Sequence, residues 1–113
     1  MPLVVRVLIY ERNLLWSERL RKSVAALDHE AIVVGKAEPQ SGDIALLNLA
    51  DFTDESLIHA LKGLGVRVIG HAGHKEKALS AEGLAAGCDM VATNSQLTWK
   101  IEELLADGPA SRN

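Results

Sequence analysis

Two histidines three residues apart, in His71-Ala72-Gly73-His74, carry the most reactive side chains of this sequence. Imidazoles at that spacing in a loop, with Glu11 or Asp51 brought near, could ligate zinc or iron, and either one could serve as a base. No third ligand is fixed by the sequence, so the pair reads as solvated or hydrogen-bonded polar residues, and no metal or cofactor is expected. A base also needs a nucleophile to activate. None stands out, so no catalytic residues and no enzyme are expected. Cys88 is the only cysteine, which excludes an internal disulfide and any zinc site built mainly of thiolates. With no base beside it in the sequence, it reads as a small buried hydrophobe. His29 and His59 read as surface residues. Gly63-Leu64-Gly65 falls at a helix end and lacks the strand-to-helix setting of a phosphate cradle, while Gly70 to Gly73 follows a strand and offers at most a weak anion site.

Composition narrows the partners. The 113 residues hold 12 Lys+Arg against 15 Asp+Glu, a net charge of -3, and the bases are scattered rather than clustered, so nucleic acid is not an expected partner. No apolar run approaches the roughly 20 residues that span a bilayer, and Met1-Pro2-Leu3-Val4-Val5 has neither a basic n-region nor a small-residue cleavage site. A cytoplasmic protein without membrane contact is expected. Hydrophobic residues make up 48% and aromatics only 4%, so one core of Leu, Val, Ile and Ala is expected, in a single domain over residues 1–108 with a frayed tail at 109–113.

The elements that would position these residues alternate. Leu3 to Tyr10 is an apolar run broken only by Arg6, as in a strand covered on both faces. Asn13 can cap a helix from Leu14 to Asp28 with the stripe Trp16, Leu20, Val24 and Leu27. Ala31 to Val34 and Ile44 to Leu49 read as short buried strands. Between them, Lys36 to Ser41 has no apolar stripe, so the helix expected there is short or missing; extended, Gly35 to Asp43 reaches about 30 Å, against about 20 Å needed for the return. Thr53 can cap a helix with Leu57, Leu61 and Leu64. Val66 to Gly70 is a fourth strand, about Lys75 to Ala86 an Ala-rich helix stopped by Gly87, and Met90 to Thr93 a fifth strand. Asn94 or Ser95 caps a last helix with the stripe Leu97, Ile101, Leu104 and Leu105, closed by Gly108-Pro109. This order predicts an α/β fold with a five-stranded parallel sheet and helices on both faces, and places function at the carboxyl ends of the strands.

From Val4 to about Ala106 the chain resembles the receiver domains of bacterial response regulators, of flavodoxin-like, CheY-like fold. The resemblance rests on Val7-Leu8-Ile9-Tyr10-Glu11, on Asp43-Ile44-Ala45-Leu46-Leu47-Asn48, on Val68-Ile69-Gly70-His71-Ala72, on Ala86-Gly87-Cys88-Asp89 and on Asn94-Ser95. It implies the strand order 2-1-3-4-5. Receivers take a phosphoryl group on an aspartate at the end of the third strand, beside an acidic pair that helps hold Mg²⁺. Here the acceptor position is Asn48, whose delocalised amide is no nucleophile, and the acidic pair is Tyr10-Glu11. The phosphate-sensing hydroxyl position is His71, the lysine position Asn94, the proline after it Ser95, and the aromatic switch Val91. The resemblance therefore implies a pseudo-receiver that signals without phosphorylation, its degenerate pocket formed by Tyr10, Glu11, Asn48, His71 and Asn94.

Trp99 lies about 200° from Leu97 on a helical wheel, beside Ala106 and away from the core stripe. An exposed Trp beside a small residue suits a protein contact, so a protein partner or homodimer through the last-helix region is expected, with a second patch where the second helix is missing. Trp16 reads as structural. The alternative to a protein-interaction module is a small-ligand or anion-binding domain that uses Glu11, Asn48, His71 and Asn94.

Overall fold

The structure, a computed structural model, describes residues 4–106. Leu3, the Gly108-Pro109 stop and the tail at 109–113 lie outside the described residues, and with them the outer bounds of the expected domain. The elements run β1 (Arg6–Tyr10), α1 (Leu14–Ala26), β2 (Glu30–Val34), β3 (Ile44–Asn48), α2 (Glu55–Gly63), β4 (Arg67–Ala72), α3 (Lys77–Ala86), β5 (Met90–Thr93), α4 (Asn94–Trp99) and α5 (Ile101–Leu105). All strand pairs are parallel, as the alternating pattern requires, in the order β2-β1-β3-β4-β5 that the receiver resemblance implies.

Strand alternation divides the core in two. Leu8, Tyr10, Leu47 and Val68 pack under α2 and α3 with Phe52, Ile58 and Leu61, while Val7, Ile9, Leu46 and Ile69 pack under α1, α4 and α5 with Leu20, Val24, Leu97 and Ile101. Burial on both faces explains why the strands are continuous apolar runs rather than alternating ones. Asn13 caps α1, its Oδ1 accepting from Trp16 N at 2.9 Å, and Gly87 ends α3 in the left-handed region at φ 116, both as the sequence indicates.

Several expectations need correction. β4 continues past Gly70 to Ala72, so His71 is a strand residue rather than a loop residue: it pairs with Asn48 of β3 and Ala92 of β5. Thr93, not Asn94 or Ser95, caps α4 in a reciprocal box with Gln96, because a hydroxyl with Gln three residues on satisfies two backbone donors at once. Asp54 rather than Thr53 caps α2, accepting from Ser56 N at 2.8 Å. The last helix is two helices, broken at Lys100, whose φ of -125 is not helical.

No helix joins β2 to β3, and the connection lies down on the sheet instead. Tyr10, a strand residue facing this side, donates its hydroxyl to Glu38 O at 2.7 Å, and burial pushes its pKa up to about 12. Gly42 sits so close to Leu8 that a Cβ there would come within 2.9 Å of its Cγ. Leu8 and Tyr10 are fully buried, so the connection closes the β1 part of the second patch expected at the missing helix. Only the β2 side stays thinly covered, with Ile32 partly buried.

Leu49 is wedged between two glycines. A Cβ on Gly70 of β4 would lie 2.9 Å from its Cδ1, and one on Gly83 of α3 would lie 2.7 Å from the same atom. The glycines let the Ala-rich α3 approach the sheet closely, with a leucine filling the gap. Gly70→Val is expected to destabilise the fold by about 1–3 kcal/mol through overpacking, read as a lower urea midpoint at unchanged slope. Leu49→Ala in the same chain should cost less than the two single changes summed; strict additivity would show that the two residues do not share this space.

Candidate functional site

β1 ends by sending consecutive side chains to opposite faces. Tyr10 goes to the α2–α3 side, where its ring meets Phe52 edge-on at 5.7 Å, so it takes no part in a pocket with the other predicted residues. Glu11 is turned the other way and is only 2% exposed. Its two carboxylate oxygens accept from the Asn48 Nδ2 amide at 2.8 and 3.0 Å, and Oε2 also accepts from Asn13 N at 3.1 Å. The other end of the Asn48 amide, Oδ1, accepts from Ala50 N at 3.0 Å. Both groups are therefore fully engaged, and the bond to Asn13 ties the acid to the residue that caps α1.

His71 neighbours Asn48 across the β3–β4 pair and is 0% exposed. Its Nδ1 lies 2.9 Å from Asn94 Oδ1; since that oxygen can only accept, Nδ1 carries the proton and donates. Nε2 is buried with no hydrogen-bond partner, and the ring lies 6.5 Å from that of Trp16 on α1. Burial lowers the pKa of His71, opposed by Asn94 and by the charge of Glu11, so the ring is neutral at pH 7.

Four predicted residues thus meet as two hydrogen-bonded couples, Glu11 with Asn48 and His71 with Asn94, set side by side by strand register. His74 stands apart on the exposed turn before α3. Among the described residues no group of three or more His, Cys, Asp or Glu could hold a metal ion. Cys88 is buried in the α2–α3 side of the core, and burial, with Asp89 adding, pushes its thiol up to about 11, far from a reactive thiolate.

Trp99 is 81% exposed on α4. The break at Lys100 puts Ala106 past the end of a different helix, so the two do not form the expected continuous face. Ala106 instead borders a cavity of about 340 Å³ with Leu27, His29 and Leu105. Sequence reading missed Leu14 and Leu15, 84% and 86% exposed on the first turn of α1. Their signal was available, since both fall outside the stripe of Trp16, Leu20, Val24 and Leu27.

Because His71 is held below the ordinary 6.5, the unfolded chain binds a proton at pH values where the folded chain does not. Stability is then full above that range and falls as pH drops through it, by at most about 1.4 kcal/mol per pH unit for this one group, with no further loss from this group once the folded ring is protonated as well. Urea titrations between about pH 7.5 and 5 should show that decline in the wild type, with a flatter limb in His71→Gln. Parallel limbs would contradict a buried neutral His71.

No protein-family model matches the chain, and no curated protein matches its sequence. Among solved structures it is similar to the receiver domain of the Francisella response regulator 1452, with a TM-score of 0.69 and 14% identity over 91% of this chain and 98% of that one. A response regulator from Thermotoga maritima gives 0.72 and 10% over 92% and 99%. NtrX from Brucella abortus gives 0.75 and 11% over 93% of this chain and 27% of that longer one. Five parallel strands in the order β2-β1-β3-β4-β5, flanked by helices on both faces and superposable on these proteins, give this chain the CheY-like receiver fold.

Proposed function

We propose that this chain is a pseudo-receiver, a cytoplasmic module that signals through protein contacts without being phosphorylated. The observation that carries this reading is the Asn48 amide bonded to both oxygens of Glu11 at the place where the receiver fold carries its phosphoacceptor. An amide there cannot form an acyl phosphate. Its hydrogen bonds to a buried carboxylate also resist opening, since parting a charged hydrogen-bonded pair of this kind costs about 1.5–3 kcal/mol. One carboxylate without a second acid at Tyr10 is a poor set for a hard dication, and Asn94 is engaged with His71 rather than free as a cationic phosphate partner. The small-ligand or anion-binding alternative is weakened by the same geometry, because Glu11 is negative and both it and His71 are closed to solvent. The contact role is best supported by Trp99, a large exposed aromatic on a helix face.

Incubated with acetyl phosphate and Mg²⁺, the protein is expected to keep its intact mass. A labile phosphoryl adduct on any acid of the site would overturn the reading. Proteins retained from a host extract by the wild type and lost from Trp99→Ala would identify the partner of α4; equal retention by both would remove Trp99 from the contact.

A further inference from the structure

β2 is an edge strand, bonded to β1 alone among the described residues. Glu30 N donates to Val5 O at 3.0 Å, and in a parallel ladder the N–H and C=O of one residue serve the same neighbour. Glu30, Ile32 and Val34 therefore serve β1, while Ala31 and Val33 turn their amides to the open side. Edge strands are commonly guarded by lysine, proline, a bulge or a covering segment. This one reads Glu-Ala-Ile-Val-Val, and its one charge is ion-paired with Arg6 of β1. The connection that follows runs back over Tyr10 and borders only the carboxyl end of the edge, at Val33 and Val34. Val33 remains 42% exposed, a side chain on Gly35 would meet nothing within 4 Å, and an open hollow lined by Val33, Gly35, Lys36 and Gln40 lies alongside.

We propose that this edge binds a second copy of the same chain, two β2 strands pairing antiparallel about a two-fold axis at Val33. That register sets Val33 opposite Val33, a hydrogen-bonded pair of an antiparallel ladder on an outward-turned position, and brings Ala31 level with Gly35, the residue after the strand. The Gly35 carbonyl already accepts from Arg12 Nε at 3.3 Å and keeps a second lone pair. The same register brings Glu30 level with Lys36, in the bend that follows the strand, twice by symmetry. The Glu30 carboxylate is half exposed beside Arg6, so its open side can take the Lys36 ammonium. Pairing centred on Ile32 would also match the outward positions, but it sets Glu30 against Val34 and loses this complementarity.

Sedimentation equilibrium of the whole chain tests the proposal. The wild type should show a monomer–dimer equilibrium. Val33→Pro, which removes an N–H that β1 does not use, should be monomeric. Glu30→Lys and Lys36→Glu should each weaken the dimer roughly fivefold or more, and a mixture of the two should regain it, because only the mixed pair has opposite charges at both ends. Trp99→Ala should dimerise as the wild type does. A wild type that stays monomeric at about millimolar concentration, a dimer indifferent to the charge changes, a mixture that fails to regain association, or a dimer lost in Trp99→Ala would each overturn the proposal; if Val33→Pro fails to fold, the charge mixture still decides.

Discussion

The Glu11 carboxylate, buried where β1 meets α1, constrains everything around the carboxyl ends of the strands. A buried anion left unpaired would cost several kcal/mol, and here it is held by the Asn48 amide and by the Asn13 N–H. Through Asn13 the carboxylate fixes the start of α1, and through Asn48 it fixes the end of β3. In this chain the corner is a set of hydrogen bonds between Glu11, Asn48 and Asn13.

The neighbouring couple extends that closure. His71 bonds Asn94 at the start of α4 and lies against Trp16 of α1, so the two helices that flank the site are referenced to one buried imidazole. A neutral ring with one orphaned nitrogen is an unusual choice for such a position, since an unmet buried acceptor costs about 1–3 kcal/mol. Around this closed interior the helices present large apolar side chains to solvent, Leu14 and Leu15 on α1 and Trp99 on α4. The polar groups at this end of the sheet are thus turned inward, while the large side chains left in solvent are aliphatic and aromatic.

Loss of the helix between β2 and β3 is compensated on one side only. Tyr10 needs a partner for its hydroxyl when buried, and the Glu38 carbonyl meets that need by drawing the connection down over β1. The covering segment thereby lies over β1, while Val33 of β2 stays exposed beside it. One hydrogen bond thus links the integrity of the core to the availability of the edge.

Much of this was legible in the residues alone. Apolar runs of strand length, stripes at helical spacing, the Asn13 cap and the Gly87 stop specify the element order, and chain direction with short connections then leaves a parallel sheet as the outcome. The absence of an acidic nucleophile at Asn48 is a matter of residue type and needs no coordinates. What the sequence did not reveal depends on contacts between distant segments. His71 becomes a strand residue because β3 and β5 pair with it on either side, and no local pattern announces that. Tyr10 and Glu11 look like adjacent members of one site until the pleat sends them to opposite faces, the one to Glu38 and the other to Asn48. Trp99 and Ala106 share a face only on an unbroken helix, which Lys100 interrupts. Local sequence governs periodic burial and short-range capping, whereas the partner of each polar side chain is set by register between strands far apart in the chain, and that register exists only once the sheet has formed.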